Sequence, residues 1–133
     1  MNVAVDTNVL VRAVVRDDPA QSRAAIKLLT GAELIAVATP CLCEFSWVLR
    51  KVYGFATRDV AAAIRALMGA SNVVLNRPAT ESGLAILEAG GDFADGVIAY
   101  EGRWLGGETF VSFDRKAVSL LRSNGQAASL PTT

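Results

Sequence analysis

Short runs of apolar, often β-branched residues alternate along this chain with longer stretches of mixed polarity. The short runs are predicted strands, at residues 2–5, 34–38, 72–75, 109–113 and 127–130, the last as a short edge strand. The longer stretches are predicted helices, at residues 9–15, 19–30, 39–53, 57–70, 78–89, 92–107 and 114–123. Because strands that are apolar on both faces must be covered on both sides, the alternation predicts an α/β/α sandwich around a central parallel sheet of four to five strands.

Threonine and proline mark the start of two of these helices. Thr39-Pro40 is typical of an N-cap residue followed by the first helical position. Thr57 is predicted to cap the next helix.

Composition narrows the class of protein. The chain has 133 residues, 13 basic and 13 acidic side chains, and a formal net charge of +0. That length predicts one domain over residues 1–133, and 52% hydrophobic residues supply a core, which excludes intrinsic disorder. No apolar run approaches the ~20 residues of a membrane span, and the N-terminus lacks the basic region of a signal peptide. We therefore expect a cytoplasmic protein with no membrane partner.

Histidine is absent from the sequence, which excludes Ser-His-Asp triads, histidine acid–base catalysis and histidine-containing zinc sites. The two cysteines, Cys41 and Cys43, form neither a CxxC pair nor a disulfide framework. Nucleotide-binding glycine loops are absent as well. Any catalysis must therefore come from carboxylates, hydroxyls, basic side chains or a metal bound by oxygen.

Two aspartates follow predicted strands directly. Asp6 ends the first strand and Asp114 ends the fourth. Ligands of open α/β sheets bind at the carboxyl ends of strands, which makes both residues candidates for a shared site. Each alone has an alternative interpretation as a helix N-cap.

Glu44 lies on helix 39–53 beside a predicted buried stripe. That stripe is formed by Cys41, Phe45, Val48 and Val52 at helical spacing. Carboxylates are rarely buried unless they are paired or bound to a metal, so Glu44 is a further candidate. The alternative is a glutamate at the edge of the stripe that extends into solvent or pairs with a lysine or arginine.

Asp92 and Asp95 open helix 92–107 in a pattern that resembles a capping box. The helix dipole favours both acids there without any catalytic role. We interpret Asp92 chiefly as the cap. Asp95 shares a face with Ile98 and Ala99, so it is the better site candidate.

Four carboxylates without histidine or thiolate partners are the ligands that a hard divalent cation prefers. Oxygen ligands suit Mg²⁺ or Mn²⁺, and several anions together are tolerated mainly around a cation. Such a site suits phosphate-ester hydrolysis by a metal-activated water. Asn8 and Ser112 are short polar residues beside the candidates and are expected to orient carboxylates or waters.

The segments that carry these acids resemble PIN-domain ribonucleases, in particular the VapC toxins of VapBC toxin–antitoxin pairs. They are Val-Asp-Thr-Asn-Val-Leu within residues 4–10, Pro-Cys-Leu-Cys-Glu-Phe at 40–45, Asp-Phe-Ala-Asp-Gly-Val-Ile-Ala at 92–99, and Phe-Val-Ser-Phe-Asp-Arg-Lys at 110–116. The segments occur in the family's order and span most of the chain.

The resemblance implies an acidic quartet of catalytic metal ligands, Asp6, Glu44, Asp95 and Asp114. Asp92 falls where some members carry an extra acid, and Ser112 matches the small hydroxyl residue before the last acid. Many members carry another acid at the position where this chain has Lys116. The resemblance therefore implies weaker binding of a second metal ion, whereas the ligands of the first metal ion are unaffected.

By the same resemblance, we expect Mg²⁺- or Mn²⁺-dependent endonucleolytic cleavage of RNA, a small VapB-like antitoxin as partner, and a homodimer. From the residues alone, two interpretations stay open for the basic side chains at helix ends, the rim of an RNA groove or, as is more usual, simple solvation: Arg12, Arg16, Arg50, Lys51, Arg115 and Lys116. The aromatic side chains Tyr100, Trp47 and Trp104 are interpreted as core or interface residues.

Two alternative functions stay open from the sequence. One is a PIN-like module that binds RNA or a partner protein without cutting. The other is a different Mg²⁺-dependent phosphoesterase of a doubly wound fold, which an Asp-x-Asp pair would favour. Position 8 is Asn, which argues against the second alternative.

Overall fold

The computed structural model describes residues 1–132, which fold as two compact units, Met1–Asn76 and a second from Arg77 onward. The first unit contains β1 (Asn2–Ala4), α1 (Thr7–Val14), α2 (Pro19–Gly31), β2 (Leu34–Ala36), α3 (Thr39–Trp47), a π-helical segment (Val48–Val52), α4 (Thr57–Gly69) and β3 (Val73–Val74). The second contains α5 (Arg77–Glu88), α6 (Phe93–Trp104), β4 (Phe110–Val111), α7 (Arg115–Ser123) and β5 (Ala128–Ser129).

The first unit is built on a parallel sheet in the order β1-β2-β3. Ala4 lies opposite Ala36 of the central strand, which in turn lies opposite Val74. Helix α1 contacts α2 and α3, and the apolar sides of α1 and α3 bury Leu10 and Phe45 completely. The carboxyl end of β1 therefore leads directly into a helix whose inner face is fixed by packing.

The second unit is dominated by the close pairing of α5 and α6. Gly96 on α6 faces the backbone of Ser82 and Gly83 so closely that no Cβ fits between the two helices. Strand β4 pairs in parallel with β5. A buried cluster joins α5, α6, α7 and β5: Ile86, Ala99, Val118, Leu121 and Ala128.

The predicted α/β/α fold class is confirmed. All the predicted strands occur, but they are hydrogen-bonded as one three-stranded and one two-stranded parallel sheet. Each strand is also shorter than the apolar run that predicts it. Apolar residues stay buried past the last hydrogen-bonded strand residue, so the end of the run does not mark the end of the strand. Val37 illustrates this point, since it lies just past β2 and is 3% exposed.

The two predicted threonine caps are wrong. Thr39 and Thr57 are the first residues of α3 and α4, and Ala38 and Ala56 occupy the N-cap positions without a side-chain cap. Each threonine is thus the first helical residue rather than the cap that precedes it.

The predicted buried stripe beside Glu44 is also wrong in its last turn. Val52 is 59% exposed, whereas Leu49 is fully buried. The Tyr53 N–H donates to the carbonyl of Val48 at 3.2 Å, five residues back. This wider π turn shifts the faces of the segment relative to an α-helix.

No helix in the described part of the chain, residues 1–132, has both the length and the apolarity needed to cross a membrane.

Candidate active site

Asp6 lies at the carboxyl end of β1 and serves as the N-cap of α1. Its Oδ1 accepts a hydrogen bond from the backbone N–H of Thr7 at 2.7 Å, and the side chain is exposed. The strand end and the cap together fix this carboxylate at the sheet edge, where the sequence places it.

Thr7 connects Asp6 to Glu44 within the first unit. Its side chain is 6% exposed, and its Oγ1 lies 3.4 Å from Oε2 of Glu44 and 3.6 Å from Sγ of Cys41. One hydroxyl proton serves one acceptor at a time, and the carboxylate is the stronger acceptor. Thr7 thus holds Asp6 through its backbone and Glu44 through its side chain.

Glu44 itself is exposed on α3. The exposure of Glu44 fits the alternative of an edge glutamate that extends into solvent, whereas no ion pair of its carboxylate with lysine or arginine is found within residues 1–132. Its partner is the Thr7 hydroxyl, which leaves most of the carboxylate open to solvent.

The Cys41 thiol is buried beside these groups. Burial raises its pKa, the hydrogen bond from Thr7 lowers it, and the nearby charges of Asp6 and Glu44 raise it further. The net shift of its pKa is upward, which favours the neutral thiol over the thiolate.

In the second unit, Asp92 and Asp95 open α6 as predicted. Asp92 is the N-cap, and its Oδ1 accepts from the Ala94 N–H at 3.2 Å. Asp95 is the third residue of the helix and is half-buried. The capping role predicted for Asp92 is confirmed by this geometry.

Asp95 lies in an anionic environment. Burial raises its pKa most, and the negative charges of Asp92 and then Asp114 raise it further. All three causes disfavour the ionised form. In the folded second unit, these negative charges thus favour the binding of a proton or a cation at Asp95.

Asp114 follows β4 and caps α7. Its Oδ1 accepts from the Ala117 N–H at 3.1 Å, while its own N–H donates to the Ser112 Oγ at 3.0 Å. Ser112 therefore fixes the backbone that carries Asp114.

A family model described as PIN domain matches residues 3–120. This chain belongs to the PIN domain family. A comparison with curated proteins finds no match. PIN domains are in general metal-dependent nucleases that act as hydrolases and bind RNA. The match includes Asp6, Glu44, Asp95 and Asp114.

The carboxylate donor set of this PIN domain suits a hard cation. The chain has no histidine, and each of the four candidate acids offers carboxylate oxygen atoms as donors. Mg²⁺ and Mn²⁺ prefer such donors. Within residues 1–132, no group of three or more His, Cys, Asp or Glu side chains is arranged so that it could hold a metal ion.

The orienting role of Asn8 stays a prediction. This residue is exposed on α1 and lines an open groove of about 540 Å³ with Arg12 of α1 and Gln21 of α2. No hydrogen bond joins it to a carboxylate in the described chain. Thr7, which sequence reasoning did not single out, does make such a bond. The available signal was its position, since it directly follows the strand-end acid on the inward side of α1.

Proposed function

We propose that this PIN domain is a Mg²⁺- or Mn²⁺-dependent endoribonuclease that hydrolyses RNA phosphodiester bonds. Asp6, Glu44, Asp95 and Asp114 are the proposed metal ligands and catalytic residues, and residues 1–133 are proposed to act as one domain. The observation that carries the proposal is the anionic environment of Asp95, to which Asp92 and Asp114 contribute in a chain of the PIN family.

The metal, when bound, would supply the Lewis acid that neutralises a phosphate oxygen and acidifies a water molecule. The chain supplies the oxygen donors and their orientation. Asp6 and Asp114 are each fixed by a cap hydrogen bond, and Thr7 restricts Glu44. Asp95 is half-buried, and reduced exposure to water strengthens its attraction to a cation.

We further propose that the protein is the toxin of a toxin–antitoxin pair. The support is the likeness of all four acidic segments to VapC toxins. Under this proposal, a small VapB-like antitoxin restrains the nuclease, and the toxin forms a homodimer in the cytoplasm. Lys116, at a position where many such toxins carry an acid, is exposed beside Asp114.

Cleavage of a labelled structured RNA tests the nuclease proposal. Purified protein is expected to cut the RNA with Mg²⁺ or Mn²⁺ and to stop when EDTA is added. Asp95→Asn is expected to lower cleavage at least a hundredfold, because it removes a charge from the metal site.

Asp59→Asn is the matched control. Asp59 is also the third residue of a helix, α4, but it is exposed and is not among the candidate acids. Its variant is expected to cut RNA as the wild type does. Undiminished cleavage in EDTA would contradict the metal mechanism, and RNA binding without cleavage would favour a binding module.

A further inference from the structure

Phe113 is 85% exposed although it lies between a strand and a helix. The sequence predicts it as the last residue of a buried strand, and the structure contradicts that prediction. Phe110, three residues earlier, packs against the buried cluster of the second unit. An aromatic ring held in water forfeits the free energy of burial, so its exposure calls for a separate explanation.

The backbone on both sides of Phe113 is fixed by hydrogen bonds. The Ser112 N–H donates to the carbonyl of Ser129 at 3.2 Å, and the Asp114 N–H donates to the Ser112 Oγ at 3.0 Å. The Asp114 carboxylate in turn caps α7. The ring is therefore presented from a rigid turn, and its Cα is one peptide unit, ~3.8 Å, from that of a proposed metal ligand.

Two cations follow on the same turn. Arg115 and Lys116 are exposed, and neither makes an ion pair within residues 1–132. A flat ring and two unpaired cations beside a carboxylate site fit a polymer with phosphates and exposed base faces. Single-stranded RNA has this chemistry, because its unstacked bases stack on aromatic side chains and its phosphates attract Arg and Lys.

We propose that Phe113 stacks on an unpaired base of RNA bound along this segment, with Arg115 and Lys116 contacting the flanking phosphates. This inference rests on the proposed function only in taking RNA as the ligand. The base must be unpaired, because a base paired and stacked in a duplex has no free face to offer the ring.

Trp104 offers a matched control. It is another exposed aromatic residue of the second unit, at 76%, but it lies nine residues after Asp95 on α6. Nine residues are two and a half helical turns, which places Trp104 on the opposite side of α6 from Asp95. Its Nε1 donates to the Tyr100 hydroxyl at 2.6 Å.

The test is the affinity of a labelled single-stranded RNA octamer, measured by fluorescence anisotropy in EDTA so that no cleavage occurs. Phe113→Leu is expected to weaken binding about tenfold, within the range for loss of one stacked base. Phe113→Trp is expected to bind at least as tightly as the wild type. Trp104→Leu is expected to bind within about twofold of the wild type.

An octamer that lacks its bases separates stacking from backbone contacts. The wild type is expected to lose about tenfold in affinity for it, whereas Phe113→Leu loses little, because the stacking partner is already gone. Unchanged melting temperatures confirm that the variants are folded.

Three results would overturn the inference: no RNA binding by the wild type, equal affinity of wild type and Phe113→Leu, or equal base dependence in both. If Phe113→Leu instead alters self-association in sedimentation while RNA affinity stays the same, the ring contacts protein. RNA binding that depends on Phe113, without cleavage in Mn²⁺, would refute the proposed nuclease function and leave the stacking role standing.

Discussion

A methyl group added at Gly96 tests how closely the α5–α6 packing sets the position of Asp95. In Gly96→Ala, the new Cβ would lie 2.8 Å from the Cα of Gly83 and 2.8 Å from the carbonyl carbon of Ser82. Carbon atoms in contact are normally about 3.5–4.0 Å apart. The helices must therefore separate by roughly 0.7 Å or more, because both obstructing atoms belong to the backbone.

The cost follows from that displacement. Overpacking of this kind costs about 1–3 kcal/mol, and the better helix propensity of alanine returns about 1 kcal/mol. Because the atoms that meet the new Cβ are all backbone and cannot rotate away, the upper part of the overpacking range, about 2–3 kcal/mol, applies. We therefore expect a net loss of about 1–2 kcal/mol, which lowers the melting temperature by roughly 4–10 °C in a chain of this length. Because Asp95 precedes Gly96 directly, a shift approaching 1 Å is expected to lower RNA cleavage about 10- to 100-fold.

Gly102→Ala is the control on the same helix. A Cβ at Gly102 has no neighbour within 4 Å, so alanine is expected to add up to about 1 kcal/mol of stability without loss of cleavage. Both variants are compared by thermal melting and by cleavage at a temperature where each is folded. A Gly96→Ala protein as stable and active as the wild type would refute the inferred constraint.

Four further substitutions address single carboxylates and their partner. Thr7→Val keeps the shape of the side chain and removes its hydrogen bond to Glu44; we expect a loss of about 1 kcal/mol in denaturant melts and weaker RNA cleavage. Asp95→Asn removes an acid whose pKa is raised in the folded state. In EDTA, the wild type should therefore become less stable relative to the variant as the pH rises from the ordinary aspartate pKa to the raised pKa of Asp95 in the folded protein; identical pH–stability curves would contradict this. Asp92→Ala should cost about 1 kcal/mol as a lost cap and keep most activity; a stable but inactive variant would reverse its role with that of Asp95. Expression of the chain alone should arrest bacterial growth, and Asp6→Asn should relieve the arrest; arrest by the variant at equal protein level would contradict the role of Asp6.

The order of strands and helices is predictable from sequence because it depends on local periodicity and on strand-end residues. Asp92 caps its helix as expected, and Asp6 and Asp114 follow β1 and β4 after one and two intervening residues. These features depend on residues a few positions apart.

Contacts between distant segments are not predictable in this way. The Thr7 hydroxyl reaches an acceptor 37 residues away, and nothing in the local pattern signals that bond. The absence of space at Gly96 depends on how two helices cross. Phe113 continues an apolar run, so its exposure is visible only when the strand is seen to end two residues earlier.

Binding of Mn²⁺ measured by calorimetry tests the central claim most directly, because it needs no RNA substrate and no assumption about the target. The wild type and Asp59→Asn are expected to bind Mn²⁺ with the same affinity, and EDTA should reverse the binding. Asp95→Asn is expected to weaken it at least tenfold, because one negative charge and one oxygen donor are lost. Equal Mn²⁺ affinity in wild type and Asp95→Asn, or no binding by the wild type, would contradict the proposed metal site.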